Sequence, residues 1–276
     1  MLHGTVCPVT VAVGIAGTGL AVYFARKADD PPSAMKFSTV TAMVFALQML
    51  NFSVQNGTSG HLMGSVLAMS LLGVPYAVIS MAVVLTVQSV FFADGGINAL
   101  GANVINMAFI GVVGAGLLFE ALKRTSIPKN ISLAITAWIS VIAAATACSL
   151  EIIWAGAISL NKVLPAMLSV HALIGVGEIA ITAVILAALT KVKVHEAMLT
   201  LTAGVIAVVA AMLSPFASNF PDGLETVAQK LGLISSSGLT ANNGLSTLCA
   251  GLMGVTIVFI ISQITVKGVK FAQGRK

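Results

Sequence analysis

Nine stretches of almost uninterrupted apolar sequence, each closed by turn residues or by charge, dominate this chain. They cover residues 7–25, 37–50, 61–73, 76–92, 102–122, 131–150, 164–189, 197–213 and 246–266. Crossing a hydrocarbon core of ~30 Å takes about 20 helical residues. Most of the stretches approach that length, while the second and third are short, as expected of helices broken around a polar connection. Only 8% of the residues are charged and 58% are hydrophobic, where a soluble domain carries about a quarter charged residues. No soluble core of 276 residues hides that much apolar surface. The expected fold is therefore all-α, a polytopic integral membrane protein with about nine transmembrane helices.

Basic residues orient such a chain, because they collect on the cytoplasmic side. With the N-terminus outside, the inner segments hold Arg26, Lys27, Lys36, Lys123, Arg124, Lys129, Lys191, Lys193, Lys267, Lys270, Arg275 and Lys276. Of the 14 Lys and Arg, only Lys162 and Lys230 then fall outside. Merging the third and fourth stretches would invert everything after them and destroy the bias. The expectation is an outward N-terminus, a cytoplasmic C-terminus and a multi-pass place in the plasma membrane. The net charge of +5 is a topology signal. With no arginine-rich arm and aromatics at 6%, nucleic acid is excluded as a partner. Residues 1–4 carry no Lys or Arg and Arg26-Lys27 follow the first helix, the reverse of a secretory signal peptide. The large Leu2 predicts that Met1 is retained. Cys7, Cys148 and Cys249 share no short spacing and read as buried thiols, with Cys7 near enough to the N-terminus to approach a metal.

The polar connection between the second and third stretches, NFSVQNGTSGH at residues 51–61, holds Gly, Asn, Gln, Ser, Thr and His but no charge. A bilayer tolerates irregular polar backbone only where protein or a cavity covers it, so this segment reads as part of a binding site. His61 closes it at the lip of a helix. It is either a helix-start imidazole bonded to a loop carbonyl or a metal ligand whose other ring nitrogen is fixed by a hydroxyl or carbonyl. Asn56, Thr58 and Ser59 would shape the loop around it. His3 sets up a further nitrogen site. A free α-amine, two deprotonated amides and the Nδ1 of a third-position His can wrap Cu(II) or Ni(II) in a square plane; the alternative is an unstructured tail. Asp94 can add charge to a cation site or cap a turn, and Asn103 and Asn106 would project inward from the next helix. His171 and Glu178, seven residues apart, face the same way. An ionisable Glu178 within a span marks function by default, with an interhelical hydrogen bond as the alternative. His195 beside Glu196 reads as solvated.

Residues 214–245 form a long outer connection, SPFASNFPDGLETVAQKLGL and onward, with a short amphipathic helix expected at 224–231 and a flexible linker at 235–244. This divides the chain into a core over residues 1–195 and a two-helix appendage over 196–276. No internal repeat of the kind seen in secondary transporters is present. The chain lacks GxxxxGK[ST], HExxH and GxSxG, so it does not hydrolyse ATP itself and is not expected to be an enzyme.

The blocks NFSVQNGTSGHLMG, VLTVQSVFFADGGINALGANVINM and HALIGVGEIAITAVIL closely resemble the CbiM/NikM family. These are the substrate-binding membrane subunits of cobalt and nickel energy-coupling-factor transporters. The tail SPFASNFPDGLETVAQKLG is similar to the PDGLE domain, which replaces or resembles the small CbiN/NikN subunit. The resemblance implies a seven-helix core with an outward N-terminus and a fused two-helix appendage. It further implies an ABC-type importer whose partners are a CbiQ/NikQ-like transmembrane coupling subunit and CbiO/NikO-like cytoplasmic ATPases. Ni²⁺ or Co²⁺ would be transported substrate, for nickel enzyme maturation or cobalamin synthesis, and no cofactor would be bound permanently. In the family, the ion sits in a near square-planar set made by the N-terminal amine, a nearby amide and imidazole, and the His that ends the TSGH motif. Here the last is His61 and the amine is that of Met1. The family usually places its first His second, whereas this chain opens Met1-Leu2-His3. A second-position His leaves the fourth position for His61. A third-position His can fill all four, leaving His61 displaced or axial. We expect His3 to remain a ligand with altered chelate geometry, and nickel to be preferred over cobalt because a square plane favours it. Asp94, Asn103 and Asn106 would shape the loops, and His171 and Glu178 would bond the core or help release. An ATPase-independent permease, a membrane metalloenzyme and a pure assembly protein are the rival readings.

Overall fold

The computed structural model describes residues 2–55, 57–156, 158–191, 196–234 and 244–271. Met1, Asn56 and His195, and residues 235–243 of the expected linker, lie outside the described residues. Each of the nine apolar stretches forms a helix. Helix α1 spans Val6–Ala25, α2 Ala34–Gln48, α3 Ser65–Leu72 and α4 Val74–Phe91. The next helix, Ile97–Lys123, is composite: a 3-10 turn leads into α5 (Leu100–Asn103), a π-helical stretch Val104–Gly114 and α6 (Ala115–Lys123). Then follow α7 (Lys129–Trp154), α8 (Leu160–Lys191), α9 (Glu196–Leu213), the short α10 (Gly223–Lys230) and α11 (Gly244–Phe271).

Seven of the described helices are long and apolar enough to cross a membrane. Of the nine apolar stretches, the exceptions are α2, with 15 residues, and α3, with 8, about 22 Å and 12 Å long at 1.5 Å per residue. The sequence expectation of nine spans counted both. They are consecutive in the chain, so counting them in or out together leaves the side expected for every later connection the same. Large apolar side chains such as Ile15, Leu117, Val184, Leu201 and Ile264 are exposed on the outer helices, where lipid is their natural solvent. The chain is a multi-pass helical membrane protein.

Short helices are tolerable here because protein surrounds them. Every residue of α2 from Phe37 to Gln48 is buried, packed against α9, α11 and α4. Thr41 in its middle is satisfied: its Oγ1 donates to Phe37 O and meets Ser80 Oγ at 2.9 Å. Ser33 caps the helix by accepting from Lys36 N at 3.0 Å. Gly73, at φ +76°, breaks α3 from α4, and Pro75 is accommodated in the first turn of α4.

Small residues let helices approach closely where no aqueous hydrophobic drive operates. Helix α1 crosses α5 closely, backbone against backbone. A Cβ on Gly101 would stand 2.7 Å from Val11 Cα and closer still to Val11 N.

Between α2 and α3 the polar segment folds into an antiparallel hairpin, β1 (Phe52–Gln55) and β2 (Thr58–Gly60), pairing Phe52 with Gly60 and Ser53 with Ser59. The segment between α9 and α10 reaches back to it. Ser59 N donates to Pro221 O at 2.8 Å, Ser59 Oγ to Phe220 O at 2.7 Å, and Ser218 N to Asn51 O at 2.8 Å. Residues 218–221 thus run against the hairpin and deliver α10 beside the site.

Candidate functional site

His61 and Met63 just after the hairpin, the segment from Ala93 to Met107, parts of α2, α4, α7 and α8 and the start of α10 line a cavity of about 570 Å³. His61, Asp94, Asn103, Asn106 and His171 line it together, so the structure gathers five of the side chains singled out from the sequence.

His61 sits where β2 ends. Its Nδ1 lies 3.0 Å from Leu62 O. A carbonyl only accepts, so Nδ1 carries the proton and Nε2 is left as the lone-pair nitrogen, the tautomer a metal needs. His171 is fixed in the same manner, with Nδ1 at 2.8 Å from Met167 O. The turn after His61 has no strand or helix ladder. It is held by Glu178, fully buried on α8, whose carboxylate accepts from Met63 N at 2.6 Å and Gly64 N at 3.0 Å.

Asn103 and Asn106 come from the junction of α5 with the π-helical stretch. Single π turns concentrate at functional sites because they redirect side chains that an α-helix would space differently. Asn106 Nδ2 donates to Glu151 Oε2 at 2.8 Å, while its buried Oδ1 has no hydrogen-bond partner. Asp94 occupies the mouth. Burial pushes its carboxyl above the usual carboxylate range, Asp222 adds to the rise, and the His61 ring and the Gly95 N–H oppose it. Burial likewise raises Glu225, helped by Asp222 and Asp94 and opposed by its bond to the Asp222 N–H.

Several lining residues went unread in the sequence. Glu151, Gln48 and Gln88 are isolated polar residues inside apolar helices, and that isolation was the available signal. Asp222, Gly223, Leu224 and Glu225 at the start of α10 also line the cavity. Asp222 and Glu225 double as a capping box for α10, Asp222 Oδ1 accepting from Glu225 N at 2.8 Å.

Other sequence candidates lie elsewhere. Thr58 and Ser59 are buried in β2, Ser59 bonding Phe220, and neither lines the cavity. Leu2 lines the cavity, packing near Ile152, Met167 and Val227, so the described chain borders it from residue 2. The adjoining His3 is exposed and outside the lining. Among the described residues, no three His, Cys, Asp or Glu side chains group to hold a metal ion.

Comparison with known proteins follows the same line. Residues 1–196 match the CbiM family, described as the cobalt uptake substrate-specific transmembrane region. A protein of Archaeoglobus fulgidus, provisionally described as a fused nickel transport protein NikMN, is 37% identical over 82% of this chain and 83% of its own. The fused nickel transport protein NikMN of Rhodobacter capsulatus is 38% identical over 42% of this chain and 35% of its own. Two crystal structures superpose on the fold. A transition metal transporter does so with a TM-score of 0.63 and 28% identity, covering 73% of this chain and 95% of that one. A truncated transition metal transporter does so with a TM-score of 0.62 and 29% identity, covering 69% and 95%.

Proposed function

Because this chain belongs to the CbiM family of metal transport proteins, we propose that it captures Ni²⁺ or Co²⁺, with nickel preferred, and delivers it inward. It does so as the substrate-specificity subunit of an energy-coupling-factor importer. The observation that carries this reading is the His61 ring, with Nδ1 engaged by Leu62 O, in a cavity that Leu2 also lines. His61 Nε2, the Met1 amine and nitrogen donors at His3 hold the ion. For His3 this requires its exposed ring to turn inward. Asp94, Asp222 and Glu225 edge the mouth and concentrate cations there, as a cleft of one charge sign does. Residues 1–195 form the capturing core, and residues 196–276 act as a fused CbiN/NikN-like unit whose Asp222–Glu225 turn closes the cavity. The mouth faces outward, and the C-terminus is cytoplasmic. This chain performs no ATP hydrolysis; a CbiQ/NikQ-like coupling subunit and CbiO/NikO-like ATPases supply the work that rearranges it.

Uptake of radioactive nickel by cells making this chain with its coupling subunit and ATPases tests the assignment. Inactivating the ATPases is expected to abolish uptake above background while leaving Ni²⁺ binding by the purified chain intact. Undiminished uptake without active ATPases would establish a permease instead.

A further inference from the structure

Glu178 is the most deeply placed carboxylate of the chain, 0% exposed on a membrane helix, and capture of an ion at the mouth gives it no direct part. Among the described residues no Lys or Arg pairs with it, and the ion pair found is Lys123–Glu120. Its two oxygens are spent on two consecutive backbone donors, Met63 N and Gly64 N.

The peptide that joins Leu62 to Met63 has one further feature. Its N–H donates to Glu178 Oε2 at 2.6 Å, and its carbonyl accepts from His61 Nδ1 at 3.0 Å. One planar, resonance-coupled amide therefore stands between the imidazole and the carboxylate. A carboxylate pulling on the N–H end of an amide makes its oxygen a stronger acceptor, since linked hydrogen bonds polarise one another. The next peptide is clamped from another direction. Met63 O accepts from Gln48 Nε2 at 2.7 Å, and Gln48 Oε1 accepts from Gln88 Nε2 at 2.8 Å. Gly64, at φ +76°, then bends the chain into α3, a left-handed conformation that glycine adopts without strain.

We propose that Glu178 is a positioning residue for metal capture. Through the Leu62–Met63 peptide it fixes the tautomer and orientation of the His61 ring, as a carboxylate bonded directly to a metal-binding His does elsewhere. The inference rests on His61 being a ligand. Without the carboxylate, two main-chain N–H groups in an apolar interior lose their acceptor, and the turn carrying the ring is released.

The test is a Ni²⁺ titration of the full chain in lipid nanodiscs, as wild type, Glu178→Gln, His61→Ala and the double variant, with the ligand-field absorption of bound nickel recorded alongside. Glu178→Gln keeps the side chain's size but turns one N–H acceptor into a donor. It is expected to weaken binding ~10–100-fold, the cost of losing an outer-shell partner of a metal-binding His, and to shift the nickel bands. In the His61→Ala background the same change is expected to cost less than about twofold, because partners acting through one group are not additive. An equal loss in both backgrounds, or none in the wild type, overturns the proposal while leaving His61 a ligand. Wild-type affinity in His61→Ala overturns the site itself. Should Glu178→Gln fail to fold, Gln48→Met releases the same turn from its other side. A loss of affinity confined to chains that retain His61 is then expected, and its absence overturns the proposal.

Discussion

Replacing His61 with Ala is expected to weaken Ni²⁺ binding by the purified chain about 100-fold or more, close to 3 kcal/mol at 1.4 kcal/mol per tenfold. Loss of a mere outer-shell partner of a metal-binding His costs 10–100-fold, so removing the ligand itself belongs at or beyond the upper end. No three metal-binding side chains cluster among the described residues to make up the deficit. His3→Ala belongs in the same titration: a loss there supports a ligand set shared between His61 and the amino end, and undiminished binding removes His3 from it. Retention of binding by His61→Ala with loss in His3→Ala would point to a chelate made by the amino end alone. Acidification has a defined direction as well. Asp94 titrates above the ordinary carboxylate range, so its charge is present above that raised value and lost as pH falls through it. Its contribution to attracting cations is therefore lost at a higher pH than a solvated Asp would allow.

Gly101→Leu is expected to cause the largest loss of folded protein of any single change considered. The space at Gly101 is bounded by the backbone of Thr10 and Val11, which cannot rotate aside as a side chain can. Overpacking a core costs typically 1–3 kcal/mol and occasionally more, and a contact with main chain belongs at the high end. Displacing α1 also withdraws Leu2 from the cavity, so surviving protein should bind nickel poorly. Gly114→Leu is the control. It lies in the same composite helix with nothing within 4 Å of its would-be Cβ, and it should melt within a few degrees of wild type. Thermal unfolding of the two detergent-solubilised variants, with folded yield by gel filtration, reads the difference.

Much of this fold was legible because apolar length is a strong signal in a membrane chain. All nine stretches became helices, and the amphipathic 224–231 segment became α10. What counts as a span was less legible, since burial of α2 by α9 and α11 depends on packing that no single stretch encodes. The hairpin over residues 52–60 had a local signal that went unused: Asn56-Gly57 between short polar-apolar runs is a strong two-residue turn sequence. The π-helical stretch had none, for residues 104–114 read as ordinary apolar helix.

The candidate site divided along similar lines. His61 at a helix lip, Asp94 in a connection, Asn103 and Asn106 at the start of a helix and His171 within one stood out as polar residues in an apolar chain and do converge. Thr58 and Ser59 were read into the same loop, yet strand alternation turned Ser59 toward Phe220. Asp222 and Glu225 were read as marks of a domain, and their place at the cavity follows from the docking of residues 218–221 on β2. Glu178 was conspicuous in the sequence, but its partners were not. They are backbone groups of a turn more than a hundred residues away.

The most direct test of capture at His61 and the amino end is X-ray absorption at the nickel edge, on the full chain loaded with one equivalent of Ni²⁺. The expected result is a four-coordinate, near-planar shell of nitrogen donors that includes imidazole scattering, with the imidazole contribution reduced in His61→Ala. A six-coordinate oxygen shell, or sulfur from Cys7 or Cys148, would contradict it.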